Sequence, residues 1–334
     1  MKSMFSIPRL IQQIVCFFLL ILFTACPNNY DFEYDIIITD NPVNLMDLNT
    51  QYDDFNSDLP YDYDRTDIYF SSNRYSGGAN FDIVAKGLDF SYHDKDGVLN
   101  LTISDEPIFE RQATRLLDSV NTGNNELGPF SSNYFNRDLL FLYANDVNDT
   151  FKIKMIEYTY WNASSQETVI SAPTELPVIN DSGNNLYPSF NLGSSTMYFC
   201  SDREASVFNI YSAYYNGEIV KDKLLKGDVQ SIQKETALSS KYDDKCPFIL
   251  DDVMVFTSNR AGGAGGYDLY YSFFENGSWT SPQPFGNNIN TQYDEYRPII
   301  FYMLGYHLMI FSSNRSGGKG GYDLYIVKID DFIN

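Results

Sequence analysis

One phrase recurs along this chain, and it limits the possible folds more than any property of the composition does. Phe256-Thr-Ser-Asn-Arg-Ala-Gly-Gly-Ala-Gly-Gly-Tyr-Asp-Leu-Tyr270 returns as Phe311-Ser-Ser-Asn-Arg-Ser-Gly-Gly-Lys-Gly-Gly-Tyr-Asp-Leu-Tyr325. A looser copy runs from Phe70 through Asn73 and Arg74 to Asp82, and a decayed one from Phe199 through Asp202 and Arg203 to Tyr211. A second phrase precedes the first. Asn290-Thr-Gln-Tyr-Asp-Glu-Tyr-Arg-Pro298 closely matches Asn49-Thr-Gln-Tyr-Asp-Asp54, and weaker versions begin at Asn121, Asn180 and Ser239. The five starts are 72, 59, 59 and 51 residues apart. Self-similarity at this period means that one supersecondary unit is arrayed several times. The second unit keeps its strand, Leu139 to Asn145, but has Asp146 where the others have arginine.

The local signals within a unit are β. Met254-Val-Phe-Thr and Leu308-Met-Ile-Phe-Ser are short apolar, β-branched runs bounded by turn residues. The Gly-Gly-x-Gly-Gly stretch offers positions for φ > 0, which suits a reversal between two strands. Tyr-Asp-Leu-Tyr is then the returning strand. A last, proline-containing strand such as Gly277 to Pro284 suits an edge, because proline cannot donate to a ladder. Four strands at this period predict the blade of a propeller. The expected fold is all-β: one five-bladed propeller of four-stranded blades over residues 35–334, with six blades the alternative count. The final unit stops after its third strand. A β-like stretch before the first unit (Tyr34 to Thr39 and Val43 to Met46) is therefore expected to supply the missing outer strand and close the ring.

The Ser-Asn-Arg-x-Gly-Gly-x-Gly-Gly-x-Asp-Leu-Tyr phrase and the Asn-Thr-x-x-Asp-Glu-x-x-Pro lead-in resemble the WD40-like (TolB/PD40-type) propeller repeat of Gram-negative envelope lipoproteins. The resemblance implies a non-catalytic binding or scaffold lipoprotein, an accessory subunit of an outer-membrane assembly or secretion complex. Its partners would be envelope or outer-membrane proteins.

Residues 1–25 lie apart from the repeats. Lys2 and Arg9 precede an apolar stretch, Leu10 to Phe23, that ends at Thr24-Ala25-Cys26. That is the shape of a secretory leader, too short for a comfortable membrane span. Small residues before Cys26 resemble a lipobox, so Cys26 is expected to carry the lipid anchor, with residues 26–34 as a tether. The expected location is the outer membrane, facing the periplasm or the surface. The net charge of −21 disfavours nucleic acid, whose binding rests on neutralising phosphates. Cys200 and Cys246 are expected as two unpaired, half-buried thiols.

Little in the chain suggests catalysis. The only histidines, His93 and His307, are remote from each other, and a nucleophile triad needs a histidine base with an orienting partner. Gly317-Gly-Lys-Gly-Gly321 lacks the ending of a phosphate loop, and a strand follows it rather than a helix. No metal or cofactor is expected. Asp53, Asp243, Asp294 and Glu295, with Asp82, Asp268 and Asp323, recur at equivalent places, and recurrence argues for a structural task. They are expected to pair with backbone amides or with Arg74, Arg203, Arg260 and Arg315, fastening blade to blade. The alternative is a carbohydrate-binding lipoprotein or a glycosidase. It would need two carboxylates roughly 5–10 Å apart in a central, aromatic-lined funnel. Two irregular features remain: the aromatic run Ile156 to Trp161, and an insertion at about Lys86 to Val120 whose Glu106 to Leu117 is predicted as a short helix or an outer strand.

Overall fold

The computed structural model describes residues 35–60, 63–134, 138–162, 167–204 and 206–332. Cys26 and the leader lie outside the described residues. Five antiparallel sheets form, one per repeat. Their first strands are Asp54–Asp58, Glu126–Tyr134, Asn185–Ser189, Asp244–Leu250 and Glu295–Met303, in blades 1 to 5. Each first strand packs against the next around a closed cycle, with blade 5 returning to blade 1. The fold is therefore a five-bladed, all-β propeller, with the first strands innermost.

Closure is by strand exchange. Val43–Asn44 adds to the third strand of blade 5 (Asp323–Lys328) as its outer strand. Ile36–Ile37 does not join that blade. It pairs with Val98–Ser104, the outer strand of blade 1. The stretch expected to serve one blade thus divides between the two that meet at the seam. The insertion after the third strand of blade 1 (Asp82–His93) makes an outer strand, Val98–Ser104, and a helix, α1, Glu110–Val120, so the Glu106 to Leu117 stretch takes the helical one of its two expected forms. Ala113, Leu116 and Val120 recur at helical spacing on the buried face of α1. They pack with Ile83 and Tyr69 of blade 1 and Phe141 and Ile156 of blade 2, so the helix is a wedge between two blades. The aromatic run lies in the third strand of blade 2, Thr150–Asn162, where Ile156 and Tyr158 are buried and Tyr160 is exposed.

The repeated phrases make two kinds of clasp. In the first, Arg74, Arg260 and Arg315 pair with the fully buried Asp54, Asp244 and Glu295 of their own blades at 2.5, 2.6 and 3.1 Å. The same guanidinium groups donate to Leu48 O, Leu238 O and Ile289 O in the segment leading into that blade. Each also lies over the phenylalanine of its phrase (Phe70, Phe256, Phe311), about 5.1 to 5.2 Å from the ring centre. Arg203 repeats the geometry but meets Asn185 instead of an acid.

The second clasp joins neighbouring blades. Asp53, Asn125, Asn184, Asp243 and Asp294 accept the backbone N–H of Tyr322, Phe81, Phe151, Phe208 and Tyr267, each at the start of the preceding blade's third strand. One turn earlier, Asn49, Asn121, Asn180 and Asn290 both donate to and accept from that same strand's backbone, at Leu324, Ile83, Ile153 and Leu269. Fastening between blades therefore runs through the lead-in phrase, while the arginines fix each blade to its own lead-in.

Each Asp or Asn of this clasp has a partner of the complementary type at the end of its blade's second strand. Asp53 and Asp294 face Asn73 and Asn314, whereas Asn125 and Asn184 face Asp146 and Asp202. Asp146 is thus the counterpart of Asn73, not of Arg74, and Val147 stands at the arginine position. Because an amide opposite a carboxylate is what recurs, Asp53→Asn alone should lower the melting temperature by a few degrees, through a lost charge-assisted hydrogen bond of about 1.5–3 kcal/mol. Asn73→Asp added to it should restore most of the loss. Thermal melts of the two single variants and the double variant test the coupling, and strict additivity would refute it.

The acids that open the third strands serve the glycine loops. Asp268 Oδ2 accepts the N–H groups of Ala264 and Gly265 at 3.0 and 3.4 Å, and Asp323 those of Lys319 and Gly320 at 2.5 and 3.1 Å. Asp82 begins the third strand of blade 1, half-buried, with its carboxyl raised above its ordinary value by burial. Only Gly262 and Gly317 in the two full loops take positive φ. The others are required by close approach: a Cβ at Gly320 would run into the carbonyl oxygens of Tyr52 and Thr50.

Candidate functional site

The five innermost strands share one irregularity, and it builds the floor of a site. Two residues after each strand begins, the backbone turns left-handed, at Asn56, Gly128, Tyr187, Cys246 and Arg297, with φ between 47° and 59°. The pairing register slips at the same place in every blade. Such bulges expose an N–H that the ladder does not use. Asn56, Gly128 and Arg297 donate it to Ser312, Ser71 and Thr257 of the preceding blade, at 3.1, 3.3 and 3.1 Å. At the corresponding contact between blades 3 and 4 the Cys246 N–H meets the Cys200 thiol. Both thiols are unpaired and fully buried, more so than the sequence suggested, and burial pushes the Cys246 thiol up to about 11.

These bulged residues close the axis. Arg297 is fully buried, lies 5.3 Å from the centre of the Tyr187 ring, and donates to Pro129 O at 2.9 Å and Pro247 O at 3.5 Å. Tyr187 OH accepts from Asn56 Nδ2 at 3.3 Å. Gly128 has to be glycine, because the Tyr187 ring occupies the place its Cβ would take. Nearby, Asp58 is buried and receives the Ser131 hydroxyl; burial raises its carboxyl to about 7 even though Arg297 pulls the other way. The plug is polar, held by one cation and one carboxyl group.

Above this floor opens a funnel of about 370 Å³. Its wall draws on two positions of the repeat. The second residue of each innermost strand supplies Phe55, Leu127, Leu186, Lys245 and Tyr296, and the start of the third strands supplies Phe151, Phe208, Tyr267 and Tyr322. The rings meet at angles: Tyr267 and Tyr296 are perpendicular at 5.4 Å, and Phe55 and Tyr322 stack at 5.9 Å. Among the described residues Lys245 is the one cation in this lining. Its ammonium sits over Phe208 at 4.5 Å and reaches Tyr267 OH at 3.3 Å and Asp243 Oδ2 at 3.5 Å.

Among the described residues no carboxylate lines the funnel directly. Asp243 and Asp294 stand one step behind it, accepting the hydroxyls of Tyr267 at 2.8 Å and Tyr322 at 3.4 Å. The Phe208 amide, the Tyr267 hydroxyl and Lys245 outweigh the desolvation of Asp243 and hold its carboxyl below the ordinary value, so it is ionised at neutral pH. Burial and the adjoining Asp243 raise the Tyr267 phenol, which keeps its proton. Asp54, Asp244 and Glu295 of the lead-ins are committed to their arginines, and Glu126 to Thr122 and Asn145. The two histidines stand elsewhere: His93 ends the third strand of blade 1, and His307 in blade 5 meets Asp330 at 3.3 Å. Tyr267, Tyr322, Tyr296 and Lys245 were not singled out from the sequence. The available signal was that two positions of the repeat vary in identity while remaining bulky.

No protein-family model matches the sequence, and no curated protein matches it. Solved structures do match in fold. An endo-arabinase from Bacteroides thetaiotaomicron has a TM-score of 0.54 at 14% identity, over 87% of this chain and 97% of the other. An exo-β-1,3-galactanase from Phanerochaete chrysosporium has a TM-score of 0.52 at 8% identity, over 90% of this chain and 65% of the other. A GH43 β-xylosidase/α-arabinofuranosidase from a compost metagenome has a TM-score of 0.51 at 8% identity, over 88% and 95%. At these identities the likeness is one of fold. It nevertheless corrects the resemblance drawn from the repeat phrases. The propeller stands, but the structures it is similar to are glycoside hydrolases and not TolB-type envelope proteins, and the expectation of a non-catalytic scaffold falls with that family.

Proposed function

We propose that the protein is carbohydrate-active, of glycoside-hydrolase type, and receives a sugar ring in the axial funnel. The observation that carries this is the funnel itself. A sugar offers flat C–H faces to aromatic rings and hydroxyls to polar groups, and this wall combines inclined rings with the Tyr267 and Tyr322 hydroxyl oxygens as acceptors and the Lys245 ammonium as donor. Its volume of about 370 Å³ is at the small end of ligand sites, as suits one or two sugar units. Asp243 and Asp294 are the carboxylates placed to act on such a ligand, each through the tyrosine hydroxyl it holds. In hydrolysis a water attacks the anomeric carbon, and its proton passes to the Tyr267 hydroxyl as that hydroxyl gives its own to the ionised Asp243, while the Lys245 ammonium gives a proton to the leaving oxygen as the glycosidic bond breaks. The five-bladed glycoside hydrolases support this reading by fold. The leader that ends at Cys26 would place the activity at the cell envelope.

Arabinan, xylan and galactan fragments, offered to the purified protein, test both halves. Binding measured by calorimetry should weaken at least tenfold in Tyr296→Ala, about 1.4 kcal/mol or more, the order of a lost stacking contact. Release of reducing ends should fall by two orders of magnitude or more in Asp243→Asn, with binding retained. The reading is wrong if the wild-type protein neither binds nor cleaves any of the three.

A further inference from the structure

We propose that the outer groove between blades 3 and 4 is a second carbohydrate-binding site, distinct from the funnel, that takes a neutral oligosaccharide. Two rows of side chains cross blade 3 here. Thr196 is opposite Tyr214 and Tyr214 opposite Ser231; Tyr198 is opposite Ser212 and Ser212 opposite Gln233. Alternation along the strands puts both rows on one face. Phe274 and Trp279 of blade 4 wall the groove on the other side, enclosing about 520 Å³.

The same positions between blades 4 and 5 show how unusual this face is. There Val253, Val255 and Tyr271 stand where blade 3 has Thr196, Tyr198 and Ser212, and they pack into an apolar cluster with Phe285 and Met309. Between blades 3 and 4 the equivalent surface is hydroxylated and open. Tyr214 is 48% exposed and Phe274 40% exposed, one on each rim, while Tyr198 and Trp279 lie edge to face at 5.7 Å in the floor. The two charges in the lining, Lys234 and Glu235, are of opposite sign. Gln233 reaches Ser231 at only 3.5 Å, leaving its amide free to turn to a ligand. Rings that accept C–H faces, interleaved with neutral hydroxyl and amide groups, match a sugar chain better than an apolar or charged partner. A peptide would instead add to the free edge of the outer strand Val229–Lys234.

Affinity electrophoresis through gels containing arabinan, galactan, mannan, xyloglucan or mixed-linkage β-glucan tests this separately from the funnel. With Tyr296→Ala disabling the funnel, at least one polysaccharide should still retard the protein. Tyr214→Ala with Phe274→Ala should weaken that retardation at least tenfold, and Gln233→Ala, which removes no packing, should weaken it measurably. The inference is overturned if no polysaccharide retards the funnel variant, if the groove variants migrate as wild type, or if raised salt abolishes the effect. Cleavage in the funnel is unaffected by any of these outcomes, so the two sites can fail independently.

Discussion

Arg297→Ala should cost the fold about 3–5 kcal/mol, the range for removing one member of a buried charged set. The guanidinium is fully buried and comes from blade 5, yet it donates to Pro129 O of blade 2 and Pro247 O of blade 4. Truncation leaves those two carbonyls without their donor and opens a cavity against the Tyr187 ring. It also takes the cation from beside Asp58, whose carboxyl already sits well above its ordinary value. For a domain of this size, each kcal/mol shifts the melting temperature by about 2–4 °C, so a fall of roughly 6 °C or more is expected. Arg297→Met keeps much of the volume and should recover part of that loss without the carbonyl contacts. Because the left-handed backbone at Arg297 is unfavourable for either side chain, relief of strain does not offset the deletion. A melting temperature unchanged in Arg297→Ala would show that the axial plug is not what joins blades 2, 4 and 5.

Most of the fold was legible because the phrases encode clasps that every blade needs. Asn49 and Asp53 recur since each blade has to hold the third strand of its predecessor, and the arginine at the Arg315 position recurs in four blades, where it donates to the lead-in carbonyl. The glycine loops were legible as turns but for a partly different reason. Gly320 and Gly321 yield space to Tyr52 and Asp53 of the next blade, a constraint that no single repeat contains. Asp146 was placed one residue out of register, because a missing arginine gives no hint that Asn73 and Asp53 have exchanged types in blade 2. The funnel was the least legible part. Its wall takes one or two side chains from every blade, and its chemistry lies in pairs such as Tyr267 with Asp243 that are 24 residues apart. Acids judged structural by their recurrence proved able to hold a hydroxyl at the site as well. The fold likeness to glycoside hydrolases overturned the family and the scaffold reading, which had rested on phrases that specify blades and not activity.

The protein should be more stable at about pH 5 than at about pH 8, opposite to the trend set by ordinary salt-bridged acids. Three buried carboxyl groups cause this. Burial raises Asp58 to about 7, despite Ser131 and Arg297; Asp67 to about 6, despite the Ile108 and Phe109 amides; and Glu126 to about 7, despite Thr122 and Asn145. A raised value means that the native state keeps a proton which the unfolded chain, titrating near 3.8 to 4.5, has already released. Stability from these groups is therefore complete below the unfolded value and drains away as pH climbs to the folded one. For Asp58 alone the span is about three units, or roughly 4 kcal/mol at 1.36 kcal/mol per unit. Asp243 works in the other direction, but its depressed carboxyl matters only below the ordinary range, so it limits stability on the acid side alone. Melts at constant ionic strength should show a decline of several degrees between about pH 5 and pH 8. Asp58→Asn, neutral at every pH, should flatten the curve by removing a share comparable to that of Glu126, which is raised to the same value. A wild-type profile that is level or rises through this window would mean that these carboxyl groups are solvated or paired in the native state, and an unchanged slope in Asp58→Asn would assign the effect to Glu126 and Asp67 instead.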